Sequence, residues 1–180
     1  GQDQQRSENH TASIRFITPG YFAAMGIPLR LGRGVAESDG ATALPVAVVS
    51  ESFVQRYWPG QNAIGRSFQI ASGTRTIVGV AGNVRVRGLE APSEPQVYLS
   101  SRQMRDGNLV WYAPKDLAVR TAVNPASLIA AVRAIIHDAD PQQPISDVQT
   151  LTEIVESNTA SRRVQARVLG AFAAVAFLLA

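Results

Sequence analysis

The stretch PVAVVSESFVQRYWPG (residues 45–60) contains the signals of a strand and of a helix in direct succession. Its first part, residues 45–49, is a compact β-branched run that predicts a buried strand. Ser50 follows, and serine is among the residues most favoured immediately before a helix. The helix is expected to begin near Glu51 and to end at the Pro-Gly pair. Its predicted inner face consists of Phe53, Val54 and Tyr57.

The N-terminal side of this stretch adds a second strand and a second helix. Residues 12–18 (ASIRFIT) alternate between apolar and polar side chains, as a half-buried strand does. Thr18 and Pro19 are typical of a helix start, and Gly26 is typical of a helix end. A short helix is therefore expected between them, followed by an extended segment at residues 28–34.

The C-terminal side of the stretch predicts more strands. Residues 67–70 and 74–80 form a predicted β-hairpin whose turn contains Gly73. Further strand candidates are residues 96–99, 109–112 and 117–120.

The longest helix is predicted over residues 125–139, with Asn124 as its cap. Its apolar stripe consists of Leu128, Ile129, Val132, Ile135 and Ile136. Together with strands predicted at residues 117–120 and 145–148, this helix would form a βαβ unit. Ile135→Asp is therefore expected to unfold the domain, because it would bury an unpaired carboxylate against the sheet.

The end of the sequence contains one capping signal and one apolar run. Thr150 and Glu153 have the spacing of a capping box, which predicts a final helix. Residues 168–180 (VLGAFAAVAFLLA) contain no charged side chain and are read either as a terminal helix packed on the core or as the start of a truncated transmembrane helix. The second interpretation is favoured, because a helix that is apolar all round is deeply buried or lies in a membrane. Three arginines flank the run: Arg162, Arg163 and Arg167. By the positive-inside rule they would face the cytoplasm, a rule that weakens when a long domain is translocated, and contact with lipid headgroups is the alternative.

The composition excludes several classes of protein. Apolar residues make up 46% of the 180 residues and charged residues 17%, so the chain can bury a sizeable core. There is no cysteine, which excludes disulfides, thiolate metal sites and cysteine nucleophiles. The formal charge is +3, but the basic residues are scattered along the sequence, so nucleic acid is not expected as a partner.

No constellation of catalytic or metal-binding residues is evident. His10 lies in a polar N-terminal stretch, and His137 lies near a helix C-terminus, where an imidazolium suits the helix dipole. Asp138 and Asp140 read as a solvated helix exit. The segment Gly79–Gly82 lacks the spacing of a phosphate-binding loop, so its glycines are interpreted as turn or bulge residues. No catalytic, cofactor-binding or metal-binding residue is predicted, and neither a cofactor nor enzymatic activity is expected.

Several segments together resemble the MacB-type periplasmic core domain of ABC transporter permeases, which precedes an FtsX-like membrane region. The likeness is closest to permeases that are abundant in soil bacteria. The segments that carry it are TPGYFAAMGIPLRLGR (18–33), VAVVSESFVQRYWPGQNAIG (46–65), IVGVAG (77–82), residues 97–99 and the predicted βαβ unit at 117–148. The run LGAFAAVAFLLA (169–180) resembles the start of that family's second membrane helix.

The resemblance implies an α+β fold with two lobes in an extracytoplasmic domain, residues 1–167. A porter-like βαβ lobe would combine residues 12–41 and 115–158, and a β-rich inserted lobe would span residues 42–114. Residues 168–180 would then start the transmembrane helix.

The resemblance also implies a function and a place in the cell. The domain would catalyse nothing; it would relay ATP-driven conformational change and contact an exported or extracted substrate. Its implied partners are a cytoplasmic ABC ATPase subunit or domain, the membrane through flanking transmembrane helices, a periplasmic adaptor and a second copy of the full-length permease. It would lie on the periplasmic side of the inner membrane. The alternative is a periplasmic ligand- or peptide-binding module without a transport role, and the choice among exporter, lipoprotein extractor and signal relay stays open.

Overall fold

A computed structural model describes residues 12–70, 73–85, 92–104 and 116–157. The chain divides into two compact units, Gly1–Arg120 and Thr121–Ala180. Each unit is described by itself.

The first unit is built on a six-stranded mixed sheet. Its strands are β1 (Ser13–Ile17), β2 (Leu29–Gly32), β3 (Val46–Ser50), β4 (Ser67–Ile70), β5 (Gly73–Ala81) and β6 (Gln96–Ser100). The strand order is β1-β6-β3-β5-β2, and β4 pairs with β5 beside this path. The predicted hairpin is confirmed, since β4 and β5 are antiparallel. The other strands are brought together from distant parts of the sequence: β1 pairs with β6 in parallel and β3 pairs with β5 in parallel.

Two helices cover the two faces of this sheet. Helix α1 (Tyr21–Met25) ends at Gly26, which takes the left-handed conformation with φ 68°, as the sequence predicts. Helix α2 (Glu51–Tyr57) begins after Ser50, whose side chain accepts a hydrogen bond from the backbone N–H of Phe53. This confirms the predicted cap. A 3₁₀-helix (Ser101–Gln103) follows β6 directly.

Strands β3 and β6 are buried along their whole length because helix α2 packs on one face of the sheet and helix α1 on the other. Ala47 and Val49 face a core cluster that includes Phe53 of α2, whereas Val48 faces a second cluster that includes Phe22 of α1. Because successive side chains of a strand point to opposite faces, a strand covered on both sides must be apolar at every position. The continuous run at 46–49 is the sequence signature of this arrangement.

The prediction of a bulge glycine is confirmed at Gly79. The pairing of β3 with β5 shifts register between Ala47 and Val48, so that Val78 is the extra residue. A Cβ on Gly79 would lie 2.0 Å from the backbone oxygen of Arg33. Only glycine allows the chain after β2 to approach β5 so closely.

The second unit contains local helices. A 3₁₀ turn (Pro125–Leu128) leads into helix α3 (Ile129–Ala139), and the Asn124 side chain accepts a hydrogen bond from the N–H of Ala126. Residues 151–157 are helical. The predicted capping box is confirmed there, since Glu153 accepts hydrogen bonds from the Thr150 backbone and hydroxyl, and the Thr150 hydroxyl accepts one from the Glu153 N–H.

The predicted βαβ unit is wrong in its two strands. Residues 117–120 and 145–148 have no strand pairing, and Leu117 is 68% exposed. A strand requires a hydrogen-bonded neighbour, and the apolar pattern that predicted these two does not specify one. The expectation for Ile135 is wrong as well, because its side chain is 68% exposed.

The α+β class is confirmed. Strands from residues 12–41 and from residues 42–114 belong to the same sheet, and the division into a porter-like and an inserted lobe stays a prediction. Two expectations, the strand at 109–112 and the transmembrane helix starting at 168, lie outside the described residues.

Candidate functional site

The candidates for chemistry that the structure describes lie at the end of a helix and at the end of a strand. His137 is exposed at the end of α3, and Asp140 uses a carboxylate oxygen to accept a hydrogen bond from the N–H of Gln142. Gly79 and Gly82 belong to β5 and the turn after it, beside β2 rather than at the start of a helix. His10 lies outside the described residues. Across the described ranges, no three His, Asp or Glu side chains are grouped as a metal ion would require.

One hydrogen-bonded side-chain cluster lies at one end of the sheet and holds the loop from β2 to β3 in place. Asp39 of this loop accepts two hydrogen bonds from the Arg33 guanidinium, at 2.7 and 2.9 Å, and one from the N–H of Ala36 at 2.8 Å. The carboxylate is almost fully buried, while the guanidinium is half exposed. The hydrogen bond from Arg33 is the main cause that holds the pKa of Asp39 below its ordinary value, against the opposing effect of burial.

The residues at and after the end of β6 fasten the same loop from the other side. The Ser100 hydroxyl donates to the backbone oxygen of Asp39 at 2.9 Å. The Gln103 amide donates to the oxygen of Leu44 and accepts from the N–H of Val46, both at 2.9 Å. We call the residues Arg33, Asp39, Ser100 and Gln103 the loop brace.

A second cluster, buried at Ser50, Gln96 and Tyr98, joins three chain segments at the opposite end of β3. The Ser50 hydroxyl accepts from the N–H of Gln96 at 2.9 Å and lies 2.8 Å from the Ser52 hydroxyl. Ser52 in turn donates to the oxygen of Glu94, and its backbone N–H donates to the Asn83 side chain. This cluster, together with Tyr98, is the strand-end network: Ser50, Ser52, Asn83, Gln96 and Tyr98.

Tyr98 connects the strand-end network to helix α1. Its hydroxyl donates to the Gln96 side chain at 2.8 Å, and its ring lies 5.0 Å from that of Phe22 and 6.0 Å from that of Tyr21. Burial raises the pKa of Tyr98 to about 12, so the phenol stays protonated and keeps its donor role at physiological pH.

The two clusters join distant parts of the sheet by hydrogen bonds. No buried side-chain nitrogen or oxygen of the described residues lacks a hydrogen-bond partner.

Sequence reasoning identified one member of these clusters and missed the others. Ser50 was recognised because a serine between a strand and a helix is a local signal. Gln96 and Gln103 carry no local signal, because Ser50 and Val46, to which they are bound, lie far away in the sequence. Within the described ranges, no helix has both the length and the apolar composition needed to cross a bilayer.

Comparison with known proteins adds the family. The family described as the MacB-like periplasmic core domain matches residues 2–139. No curated protein matches the chain. The periplasmic region of MacB from Actinobacillus actinomycetemcomitans is 16% identical with a TM-score of 0.53, and the match covers 71% of this chain and 56% of that one. This likeness supports the fold.

Two further solved structures match parts of the chain. The extracellular domain of the noncanonic ABC-type transporter YknZ from Gram-positive bacteria is 13% identical (TM-score 0.39, 48% of this chain and 42% of that one). A domain assigned to a permease protein of Porphyromonas gingivalis is 17% identical (TM-score 0.43, 79% and 70%). This chain thus spans little more than half of the MacB periplasmic region. Because the family match extends over residues 2–139 of 180, the chain belongs to the MacB-like periplasmic core domain family.

Proposed function

We propose that this chain is the non-catalytic extracytoplasmic domain of an ABC transporter permease and that it relays ATP-driven conformational change to the outer side of the membrane. The observation that carries the proposal is the pair of buried clusters in a member of this family. The loop brace and the strand-end network hold both ends of β3 and β6. A domain that passes on a displacement must itself resist deformation, and a sheet pinned at both ends does so.

The proposal includes partners and a location. A cytoplasmic ABC ATPase subunit or domain would supply the energy. Transmembrane helices, one of them starting at residue 168, would connect the ATPase to residues 1–167. These residues would lie on the periplasmic side of the inner membrane. The porter-like lobe (12–41 and 115–158) and the inserted lobe (42–114) would be the parts of this domain. Contact with the transported substrate, a periplasmic adaptor and a homodimeric permease belong to the same proposal, supported by membership of the family.

The test uses the absence of cysteine from the sequence. Cysteines introduced in pairs into the intact permease can carry spin labels once any cysteine outside these 180 residues has been replaced. Ala41 and Gln55 are exposed positions of the first unit, and Gln142 is an exposed position of the second. Distances would be measured in lipid, with the partner ATPase, in the nucleotide-free and the vanadate-trapped states.

A relay predicts that the distance between labels at 41 and 55 stays the same in both states, because both report on one stiff sheet. The distance between labels at 55 and 142 is expected to change with the nucleotide state. If both distances are the same in the two states, the proposal fails. Saturable binding of a peptide or lipid by that same unresponsive protein would then favour the alternative, a binding module.

A further inference from the structure

Arg120 is the last residue of the first unit and contacts a helix from the other end of that unit's sequence. Its Nε donates a hydrogen bond to the backbone oxygen of Ala24 at 2.9 Å. The chain then enters the second unit at Thr121. The contact therefore lies at the point where the chain passes from one unit to the other.

The hydrogen bonds at the end of α1 explain why an arginine is needed there. The last carbonyl groups of a helix have no partner within the helix. The N–H groups of Gly26 and Ile27 satisfy the oxygens of Ala23 and Phe22, respectively. The oxygen of Ala24 is bound by Arg120, and a cation at a helix C-terminus also interacts favourably with the helix dipole.

Gly26 makes room for this guanidinium. A Cβ at position 26 would lie 2.7 Å from Nη2 of Arg120, closer than atoms approach without displacement. Gly26 thus has two roles. It adopts φ 68°, and its lack of a side chain leaves space for the Arg120 guanidinium.

Helix α1 is itself attached to the sheet. Phe22 is only 5% exposed, and its ring packs against Tyr98, whose hydroxyl is bound by Gln96 of the strand-end network. A group that binds the end of α1 is therefore connected to the stiff part of the molecule through contiguous contacts.

From these contacts we infer that Arg120 is the positioning residue that fixes where the chain leaves the first unit, and that the relay depends on this fastening. The inference rests on the proposed relay function and assigns the coupling to one side chain. Without the bond to Ala24, residues that follow Arg120 would move independently of α1, and the coupling would be lost.

The first test is Arg120→Ala in the intact permease, with Arg133→Ala, an exposed arginine of α3, as the matched control. Hydrogen exchange of residues 20–27 is expected to become several-fold faster in the Arg120 variant, and a spin label at Ala122 is expected to become more mobile. The nucleotide-dependent change between labels at 55 and 142 should be reduced or lost. Arg120→Lys keeps the charge and one donor, so it should restore part of the change, and Arg133→Ala should alter none of these readouts.

The second test displaces Arg120 without mutating it. Gly26→Ala and Gly20→Ala both place an L-residue at positive φ, on either side of α1. A Cβ at position 26 would meet the Arg120 guanidinium, whereas a Cβ at position 20 would meet nothing within 4 Å. Gly26→Ala should therefore reproduce the loss of coupling seen in Arg120→Ala, and Gly20→Ala should keep the coupling.

Two results would overturn the inference. One is unchanged exchange and label mobility in Arg120→Ala; the other is faster exchange together with an undiminished 55–142 distance change. In both cases the relay itself stands, because the wild-type protein still responds to nucleotide. A wild-type protein without any response contradicts the relay instead, and with it the coupling assigned to Arg120.

Discussion

The two units of this chain are held in different ways. In the first unit, β3 and β6 are buried at every position, and the backbone oxygen of Asp39 and the N–H of Gln96 are bound by side chains from distant segments, Ser100 and Ser50. In the second unit, no residue from 121 to 157 is buried, and its helices follow local signals such as the Asn124 cap and the Thr150–Glu153 capping box. Burial and long-range hydrogen bonds stabilise the first unit, whereas local signals account for the second.

The largest expected difference between the units concerns apolar side chains. Phe53 is 5% exposed and its ring contacts those of Tyr57, Trp58 and Phe68. Phe53→Ala should lower the free energy of unfolding by about 3–5 kcal/mol, because it removes buried area and leaves a cavity. Ile135→Asp, which changes a 68% exposed side chain, should alter it by less than about 0.5 kcal/mol.

Urea unfolding of the purified chain would measure both changes. Equal losses in the two variants would mean that Ile135 is covered as deeply as Phe53 in solution, and the contrast between the units would disappear.

A smaller effect is expected from adding one methyl group to a glycine. Gly79→Ala would bring a Cβ to 2.0 Å from the Arg33 backbone oxygen, so we expect a loss of at least about 1–3 kcal/mol from forced separation of β2 and β5. Gly40→Ala meets nothing within 4 Å and should change stability by less than about 0.5 kcal/mol. A melting temperature of Gly79→Ala equal to that of Gly40→Ala would show that β2 does not pack on β5 so closely.

The smallest expected effect is on the pH dependence of stability. It should differ between the buried carboxylate of Asp39 and the exposed carboxylate of Glu153. The pKa of Asp39 is lowered chiefly by Arg33, and that of Glu153 is lowered chiefly by the Thr150 N–H. A carboxylate whose folded pKa is depressed contributes its full stabilisation above the unfolded value, which is 3.8 for Asp39, and loses it as the pH falls through the folded value. Below that ordinary value, the stability of the wild-type protein should decline with pH more steeply than that of Asp39→Asn.

Glu153→Gln is the comparison for this pH dependence. The wild-type carboxylate of Glu153 is exposed and lies in the second unit, so solvent screens it. The stability of Glu153→Gln should therefore fall at low pH almost as that of the wild type does. Parallel acid limbs for Asp39→Asn and the wild type would contradict the role given to the loop brace.

The difference between local and long-range contacts explains what could be predicted from the sequence. Ser50, Gly26, Asn124 and the Thr150–Glu153 pair were correctly assigned, because each acts within one helical turn. The predicted strands at 117–120 and 145–148 failed, because an apolar pattern indicates that a segment could pair without naming its neighbour.

The candidate site was less predictable than the fold for the same reason. Gln96 and Gln103 are ordinary polar residues in the sequence, and they reach Ser50 and Val46 only when β3 and β6 come together. Arg120 is a further example, since its partner, the oxygen of Ala24, is a backbone atom that no sequence pattern marks.

The parallel pairing of β1 with β6 has a consequence for how the chain is made. Ser13 lies opposite Gln96 and Ile17 opposite Ser100, so a growing polypeptide has β1 available long before its neighbour has been synthesised. Among the described strands, β1 is the first and its neighbour β6 is the last, and the long loop between them must close before the pairing brings any gain. Until residues 96–100 have been added, the apolar residues of β1 lack the strand that pairs with them.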